Sequence, residues 1–457
     1  MTIKSSRKEN SSRSGKPDFT RRTQRAPRKE QTRERGIYAA RLGQIRDVLS
    51  EVLKWKHPAD AVLSAWFRAN KSLGGRDRHE VAEAVFDVLR HLRRYRQYAE
   101  SGTGPALERL AMLGLSSVVG KEAIAAQVSE EEKGWLLRMD TIDPASLAPE
   151  IRGSLPDWLY GYLGPMENAE ALISALNTRA PLDLRVNPLK VDRDTVLNQM
   201  RESPVAEFDP QPTPYSPWGI RLNGKPAIQR WTLFENGSLE VQDEGSQLLA
   251  LLVAPRRSDM VIDFCAGAGG KTLLLGALMR SAGRLYAFDV SPARLAKAKP
   301  RIARSGLSNV TPIAISSEND ARVKRLAGKA DKVLVDAPCT GVGTLRRNPD
   351  LKWRQSPASV QELTELQARI LNSAARCVAP GGRLVYSTCS VLPQENEMQI
   401  DAFLATHPGF TLLNVQDVLG DRCPDLGMTT PYLKLRPDVH GTDGFFAAVL
   451  EKAAKAG

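Results

Sequence analysis

Asp263-Phe264-Cys265-Ala266-Gly267-Ala268-Gly269-Gly270-Lys271-Thr272 is the stretch that decides the fold. It leaves an extended apolar run at 260–263 and enters a helical stretch at 271–281, so a strand becomes a helix through a glycine-rich turn. Glycine tolerates positive φ and lets a ligand approach the backbone closely. The next extended run, 284–290, puts Asp289 twenty residues after Gly269, where an acid meets a ribose hydroxyl in Rossmann-like sites. Two neighbouring motifs do not fit. A phosphate-cradling loop needs glycine where Cys265 stands, and a strict dinucleotide fingerprint needs it at Thr272. A nucleoside-containing cofactor is expected, and a turn without strict pyrophosphate-binding geometry suits S-adenosylmethionine.

Downstream of that turn, extended runs recur at 310–315, 332–335, 383–386, 411–415 and 445–450. Helical stretches at 292–304, 360–378 and 395–406 separate most of them. Such alternation predicts an α/β domain with a parallel, doubly wound sheet covered by helices on both faces. Ligands bind outside the carboxyl ends of the strands in that architecture. Two cysteines fall there: Cys339 in Asp336-Ala337-Pro338-Cys339, and Cys389 in Tyr386-Ser387-Thr388-Cys389-Ser390. Two thiols beside a nucleoside cofactor suggest covalent chemistry on a base, with either sulfur able to attack. A strand-end cysteine is ordinarily a small buried hydrophobe, and that reading stays with the thiols of Cys265, Cys377 and Cys423.

Upstream, the character changes twice. Residues 1–35 hold twelve Lys/Arg against four Asp/Glu, a net +8 of the chain's +12, and few apolar residues. They read as a disordered basic tail, either simply solvated or raising affinity for a polyanion through counterion release. Residues 36–150 read as a small helical domain. Leu42, Ile45, Val48, Leu49, Val52 and Leu53 form one apolar stripe; Val62, Leu63, Trp66 and Phe67 form a second, and Val81, Val85, Val88, Leu89 and Leu92 a third. Residues 151–240 mix helical pieces (169–176, 192–200), an extended run (182–187) and a Pro-rich stretch (204–217), a small α+β module. Residues 241–457 form the α/β domain. At 457 residues several domains are expected. The five cysteines include no C-x-x-C pair, which fits free thiols in a reducing cytoplasm rather than a disulfide frame or a metal site. No apolar run is long enough to span a membrane, and the N-terminus lacks the apolar core of a secretion signal.

Six motifs occur in one order: Gln242-Asp243-Glu244-Gly245-Ser246-Gln247, the Gly-Gly-Lys-Thr turn, Phe288-Asp289, Asp336-Ala337-Pro338-Cys339, Ser387-Thr388-Cys389-Ser390 and His440-Gly441-Thr442-Asp443-Gly444-Phe445-Phe446. Together they resemble the Sun/Fmu-type RNA cytosine-5 methyltransferases, also called the NSUN or Nol/Nop/Sun family. The resemblance covers residues 240–452. Residues 156–239 are similar to the family's small RNA-binding module. The helical domain, with Gly75-Arg76-Asp77-Arg78, resembles the NusB-like domain of the bacterial 16S rRNA enzyme. Departures are Ala268, where many members carry Pro, and Glu318-Asn319-Asp320-Ala321, a loose version of the third cofactor motif; residues 100–150 match nothing in the family.

The resemblance implies a Rossmann-like methyltransferase domain that uses S-adenosylmethionine and no metal. It makes Cys389 the nucleophile and Cys339 the residue that assists release. Asp336 is to contact the ring nitrogen, and Lys271 is to stabilise the adduct or bind a phosphate. Cofactor contacts are implied at Cys265, Ala266, Gly267, Ala268, Gly269, Gly270, Lys271, Asp289, Arg294, Asp320 and Asp336, with Gln242 and Asp243 near the methionine end. The expected partner is RNA, 16S rRNA first, for a monomeric cytoplasmic enzyme that does not act on DNA. The chemistry explains the thiols. Carbon 5 of cytosine is a poor nucleophile until a thiolate adds at carbon 6. Arg346, Arg347, Lys352 and Arg354, with Trp353 among them, read either as a solvated charged face or as a grip on RNA phosphates with a stacking ring. Alternatives to the rRNA enzyme are a tRNA cytosine-5 methyltransferase and a non-catalytic ribosome-assembly protein.

Overall fold

The computed structural model describes residues 27–224, 226–424 and 426–455. The expected basic tail lies outside the described residues as far as residue 26. Its last part is not a tail, because the first helix runs from Pro27 to Val52. The apolar stripes read from the sequence become one seam. Ile45, Val48 and Leu49 of that helix meet Leu63 of Ala59–Ala69 and Val81, Val85, Val88 and Leu92 of Gly75–Glu100. Residues 100–150 close the same core through Leu110 and Leu115 of Ala106–Val119, Ile124, and Trp135 and Leu136 of Glu130–Arg138. Each fully buried Leu, Ile or Val adds about 1.5–3 kcal/mol relative to exposure.

The third helix is kinked at His91, which leaves helical geometry (φ −110°, ψ 19°). A kink frees backbone groups that need other partners. Here the α/β domain supplies them. Trp353 Nε1 donates to Leu89 O at 3.0 Å and Lys352 Nζ to Arg90 O at 2.6 Å. Lys352 also donates to Ser154 O and Asn177 Oδ1, and Trp353 stacks on Trp55. Arg354 pairs with Asp350, whose other task is to accept the Ala59 amide at the start of a helix. Neither reading of the 346–354 run describes Lys352 and Trp353, whose polar ends find partners within the protein, whereas Arg347 and Arg354 stay partly exposed.

Two short helices follow, Asp157–Leu163 and Ala169–Leu176, and Leu155, Leu159, Leu163 and Leu172 pack on Val342, Leu345, Val360 and Leu392 of the α/β domain. The α+β module proper follows. It has strands β1 (Leu182–Val186), β2 (Gln211–Pro212), β3 (Gly219–Leu222) and β4 (Leu239–Val241) in the antiparallel order β2-β3-β1-β4. Val196, Leu197 and Met200 of the helix Arg193–Arg201 cover this sheet.

The sheet of the α/β domain contains β5 (Met260–Asp263), β6 (Arg284–Asp289), β7 (Val310–Ala314), β8 (Ala330–Asp336), β9 (Val378–Thr388), β10 (Phe410–Leu413), β11 (Leu433–Leu435) and β12 (Phe445–Lys452). Its order is β10-β12-β9-β8-β5-β6-β7, with β11 also on β12. Strands β5 to β9 are parallel, as expected, with β5 at the centre flanked by β6 and β8. The exception is β12, which runs antiparallel to β9, β10 and β11. Its connection from β11, residues 436–444, is too short for a crossover helix, so the chain folds back as a hairpin. The expected strand 411–415 stops at Leu413, and Val415 begins a short helix instead. No helix among the described residues is long and apolar enough to cross a membrane.

Candidate active site

The glycine turn sits at the carboxyl end of β5 and opens the helix Gly270–Leu278. Gly269 caps that helix with φ +83°, and a Cβ there would lie 3.1 Å from Ala298 Cβ, so the turn needs glycine at this point. Three side chains from elsewhere fasten the turn's backbone. Arg301 Nη1 donates to Ala268 O at 2.6 Å, and Arg185 Nη1, from β1 of the small module, donates to Gly270 O at 2.8 Å. Arg185 also donates to Gln242 Oε1, and its burial pulls its guanidinium down to about 10. Asp289 Oδ2 accepts the Gly267 amide at 2.8 Å and Oδ1 the Ser291 amide at 2.7 Å. The acid expected to grip a ribose is thus first a brace for the turn.

Two adjoining cavities, of about 470 and 360 Å³, flank this turn and share Cys265, Arg294 and Asp336 as walls. The first also exposes Asp289, Val290, Ile315, Cys339 and Cys389; the second exposes Gln242, Asp243, Asp263, Ala266, Gly270 and Lys271. Ala268 is on the second wall as well, so most of the expected site residues converge. Gly267, Gly269 and Asp320 do not line either cavity. Asp320 is turned to local work. It caps Ala321–Lys324, accepts from Ser316 and Arg322, and is held well below the usual carboxylate range by Arg322. Glu318, two residues earlier, reaches the wall instead.

The thiols meet because β8 and β9 lie side by side in register, Asp336 opposite Ser387. Cys339 and Cys389 follow these strand ends, and their sulfurs stand 3.3 Å apart. The contact with the Cys389 sulfur, together with burial, pushes the Cys339 thiol well above its ordinary value. A buried pair of residues, Glu395 and Asn396, holds both loops. Glu395 accepts the Thr340 amide at 2.8 Å and the Thr340 hydroxyl at 2.6 Å, and Gln367 Nε2 bridges from Glu395 to Pro338 O. Asn396 accepts from Thr388 Oγ1 at 2.6 Å and donates to Ser390 O at 3.0 Å, bracketing Cys389 on both sides. A third tie needs glycine: the Gly343 amide donates to Cys389 O at 3.0 Å, and a Cβ on Gly343 would strike Gly444 O at 2.1 Å. The sequence reading missed Arg185, Asp263, Glu395 and Asn396 as site residues. The signal available was an acid and an amide in Pro393-Gln394-Glu395-Asn396, directly after a reactive-thiol motif.

Lys271 Nζ donates to Asp336 Oδ2 at 2.7 Å. Burial alone would lower the Lys271 amine, but Asp336, with help from Cys389 and Asp263, outweighs it and the net shift is upward. Lys271 therefore stands as a fixed positive charge beside the thiols. Asp443 is almost fully buried and pairs with Arg346 at 3.0 Å and Arg347 at 2.5 Å. Arg347 continues to Asp243 at 2.8 Å, and Asp243 also caps the helix Glu244–Val253.

The residues present fit S-adenosylmethionine. Asp263 Oδ2 accepts from Thr272, but its Oδ1 is buried without a hydrogen-bond partner on the wall of the second cavity, and burial pushes the carboxyl up to about 7. An ammonium such as the cofactor's would satisfy that atom. The apolar surfaces of Val290 and Ile315 in the first cavity offer an adenine flat contacts.

Comparisons with known proteins agree with this geometry. The model of the 16S rRNA methyltransferase RsmB/F family matches residues 250–451, and the RsmF/B-like ferredoxin-like domain matches residues 155–229. The chain is 36% identical over 384 residues to a probable ribosomal RNA small subunit methyltransferase B of Synechocystis, covering 82% of this chain and 83% of that one. Its structure is similar to that of PH0851, with TM-score 0.72 and 27% identity over 92% of this chain and 99% of the other. It is also similar to a methyltransferase homologue protein from Pyrococcus horikoshii, with TM-score 0.56 and 29% identity over 68% of this chain and all (100%) of the other. The chain belongs to the RsmB/F family of 16S rRNA methyltransferases.

Proposed function

We propose that the protein methylates carbon 5 of a cytosine in small-subunit ribosomal RNA, through a covalent adduct with Cys389. The observation that carries this reading is the pair of thiols 3.3 Å apart, beside the Lys271–Asp336 pair, on the wall of a cavity continuous with the cofactor turn. The substrate class rests on the relatives named ribosomal RNA small subunit methyltransferase B.

The thiolate is the attacking form of a cysteine, and Lys271 carries its charge beside Cys389. Its sulfur bonds to carbon 6 of the target base, and the 5,6 electron pair moves to carbon 5, with Asp336 meeting the ring nitrogen that takes up charge. When bound, S-adenosylmethionine supplies the electrophilic methyl at that carbon, and Asp263, Gln242 and the turn hold it there. The carbon 5 proton then leaves to solvent, its electron pair restores the ring double bond, and the bond from sulfur to carbon 6 breaks. Cys339, whose raised thiol keeps its proton, gives that proton to the departing sulfur. The proton returns across the same short contact before the next cycle. The target base must leave its stack to reach this pocket.

Transfer of labelled methyl to 16S rRNA tests the reading. Cys389→Ala is expected to abolish transfer, and Cys339→Ala to accumulate a protein–RNA adduct that survives denaturation. Undiminished transfer by Cys389→Ala overturns the mechanism, and transfer by the native enzyme to tRNA alone overturns the substrate class.

A further inference from the structure

A cavity of about 530 Å³, larger than either active-site cavity, opens where the kinked helix Gly75–Glu100 meets the helix Ala169–Leu176. Its volume falls within the range of about 300–1,000 Å³ typical of ligand pockets. His91, Arg94, Arg152, Tyr160 and Asn177 stand on its wall. The charge there is one-sided. Arg152 is paired with Glu170 at 3.1 Å, and Glu170 is the one carboxylate on the wall. Arg94 makes no hydrogen bond or ion pair among the described residues, and its Nε is buried without an acceptor.

The floor adds to the imbalance. Lys352 ends on three uncharged oxygens, Arg90 O, Ser154 O and Asn177 Oδ1. Burial, Arg90 and Arg94 hold its amine well below the ordinary value. Burial, then Arg94, Lys352 and Arg90, push His91 down to about 2. Cations taken out of water without a counter-charge are costly, and an anion placed among them recovers much of that cost. A guanidinium offers a planar fork that matches phosphate oxygens two at a time.

We propose that this cavity binds a backbone phosphate of the RNA substrate, with Arg94 as its principal contact. The helical domain and the catalytic domain then hold one RNA together, away from the thiols. The inference rests on the RNA-methyltransferase reading for the source of the phosphate, but not for the cavity's charge. The position adds a link to the active site: Lys352 beneath the cavity lies in the short helix Leu351–Arg354, thirteen residues after Cys339 on the connection that leaves β8.

Binding of a 16S rRNA fragment is measured across a range of salt for the native protein, Arg94→Gln and Arg94→Lys. Arg94→Gln is expected to weaken binding by about tenfold and to lower the slope of log affinity against log salt by about one. Arg94→Lys keeps the charge and is expected to keep the slope. KM for RNA should rise in Arg94→Gln with kcat unchanged, which a merely structural role would not produce. Inorganic phosphate at millimolar concentration should raise the melting temperature of the native protein more than that of Arg94→Gln. Unchanged affinity and slope in Arg94→Gln, with the phosphate effect still lost, would show a free phosphate compound as the ligand and overturn the RNA source. Loss of neither effect overturns the site. If Arg94→Gln does not fold, a slope lowered in Arg94→Lys as well overturns the charge argument. Native protein that fails to bind rRNA at all counts against the proposed function, while the phosphate arm still decides the cavity.

Discussion

Asp336 and Cys339 face the active-site cavities, whereas Lys352 and Trp353, thirteen and fourteen residues after that cysteine in the short helix Leu351–Arg354, are drawn into the helical domain. The first stretch keeps its polar groups toward open space and is braced from behind by Glu395, Gln367 and Gly343. The second spends its polar groups on protein partners: Arg346 on Asp443, Lys352 on freed carbonyls, Trp353 on Leu89 O. Basic and aromatic residues beside a reactive thiol therefore say little about substrate contact. What matters is where their polar ends find partners, and the kink at His91 creates partners that a straight helix would have kept for itself.

The contrast breaks if changes in the second stretch alter chemistry before stability. The largest effect is expected from Asp443→Ala, which leaves Arg346 buried without a counter-charge, while Arg347 keeps Asp243. It should cost about 3–5 kcal/mol, read from the shift in denaturant midpoint. A loss below about 1 kcal/mol would place the pair among ordinary surface bridges. Lys352→Met comes next. It strands the acceptors on Arg90, Ser154 and Asn177 and should cost about 1–3 kcal/mol. Calorimetry should find its affinity for S-adenosylmethionine unchanged; a lost affinity would mean that the two stretches act as one.

The smallest effect sharpens the contrast from the active-site side. Burial raises Asp263 to about 7, so the free enzyme holds this carboxyl protonated below that pH and ionised above it. A cofactor ammonium selects the ionised form. Affinity for S-adenosylmethionine should therefore weaken as pH falls through about 7, by up to about tenfold per unit. The unliganded fold has the opposite sign: its contribution from this group is full below the unfolded value and is lost as pH rises through about 7. Asp263→Asn should flatten both profiles, and an affinity still pH-dependent in that variant would assign the effect to another group.

Much of the site was legible because its signals are local. The strand, glycine turn and helix at 260–278, the helix Ala169–Leu176 and the carboxyl-end placement of both thiols all follow from short-range patterning. Asp320 misled because a motif position does not tell whether a carboxylate is already saturated, here by Ser316 and Arg322. Glu395 and Asn396 were passed over because a buried clamp and an exposed polar turn have the same composition.

By itself, the sequence determined the element types, the α/β class, the ligand-binding end of the sheet and the two thiols within it. Those depend on periodicity and turn chemistry over a few residues, where neighbours along the chain are neighbours in space. Only the tertiary structure decided that β12 runs antiparallel, that Arg185 of the small module bolts the cofactor turn, and that Lys352 closes a kink in a helix 262 residues away. Each depends on which buried polar atoms lack a partner once the domains pack. Burial makes such an atom costly, and the packing of the domains sets which side chain can reach it.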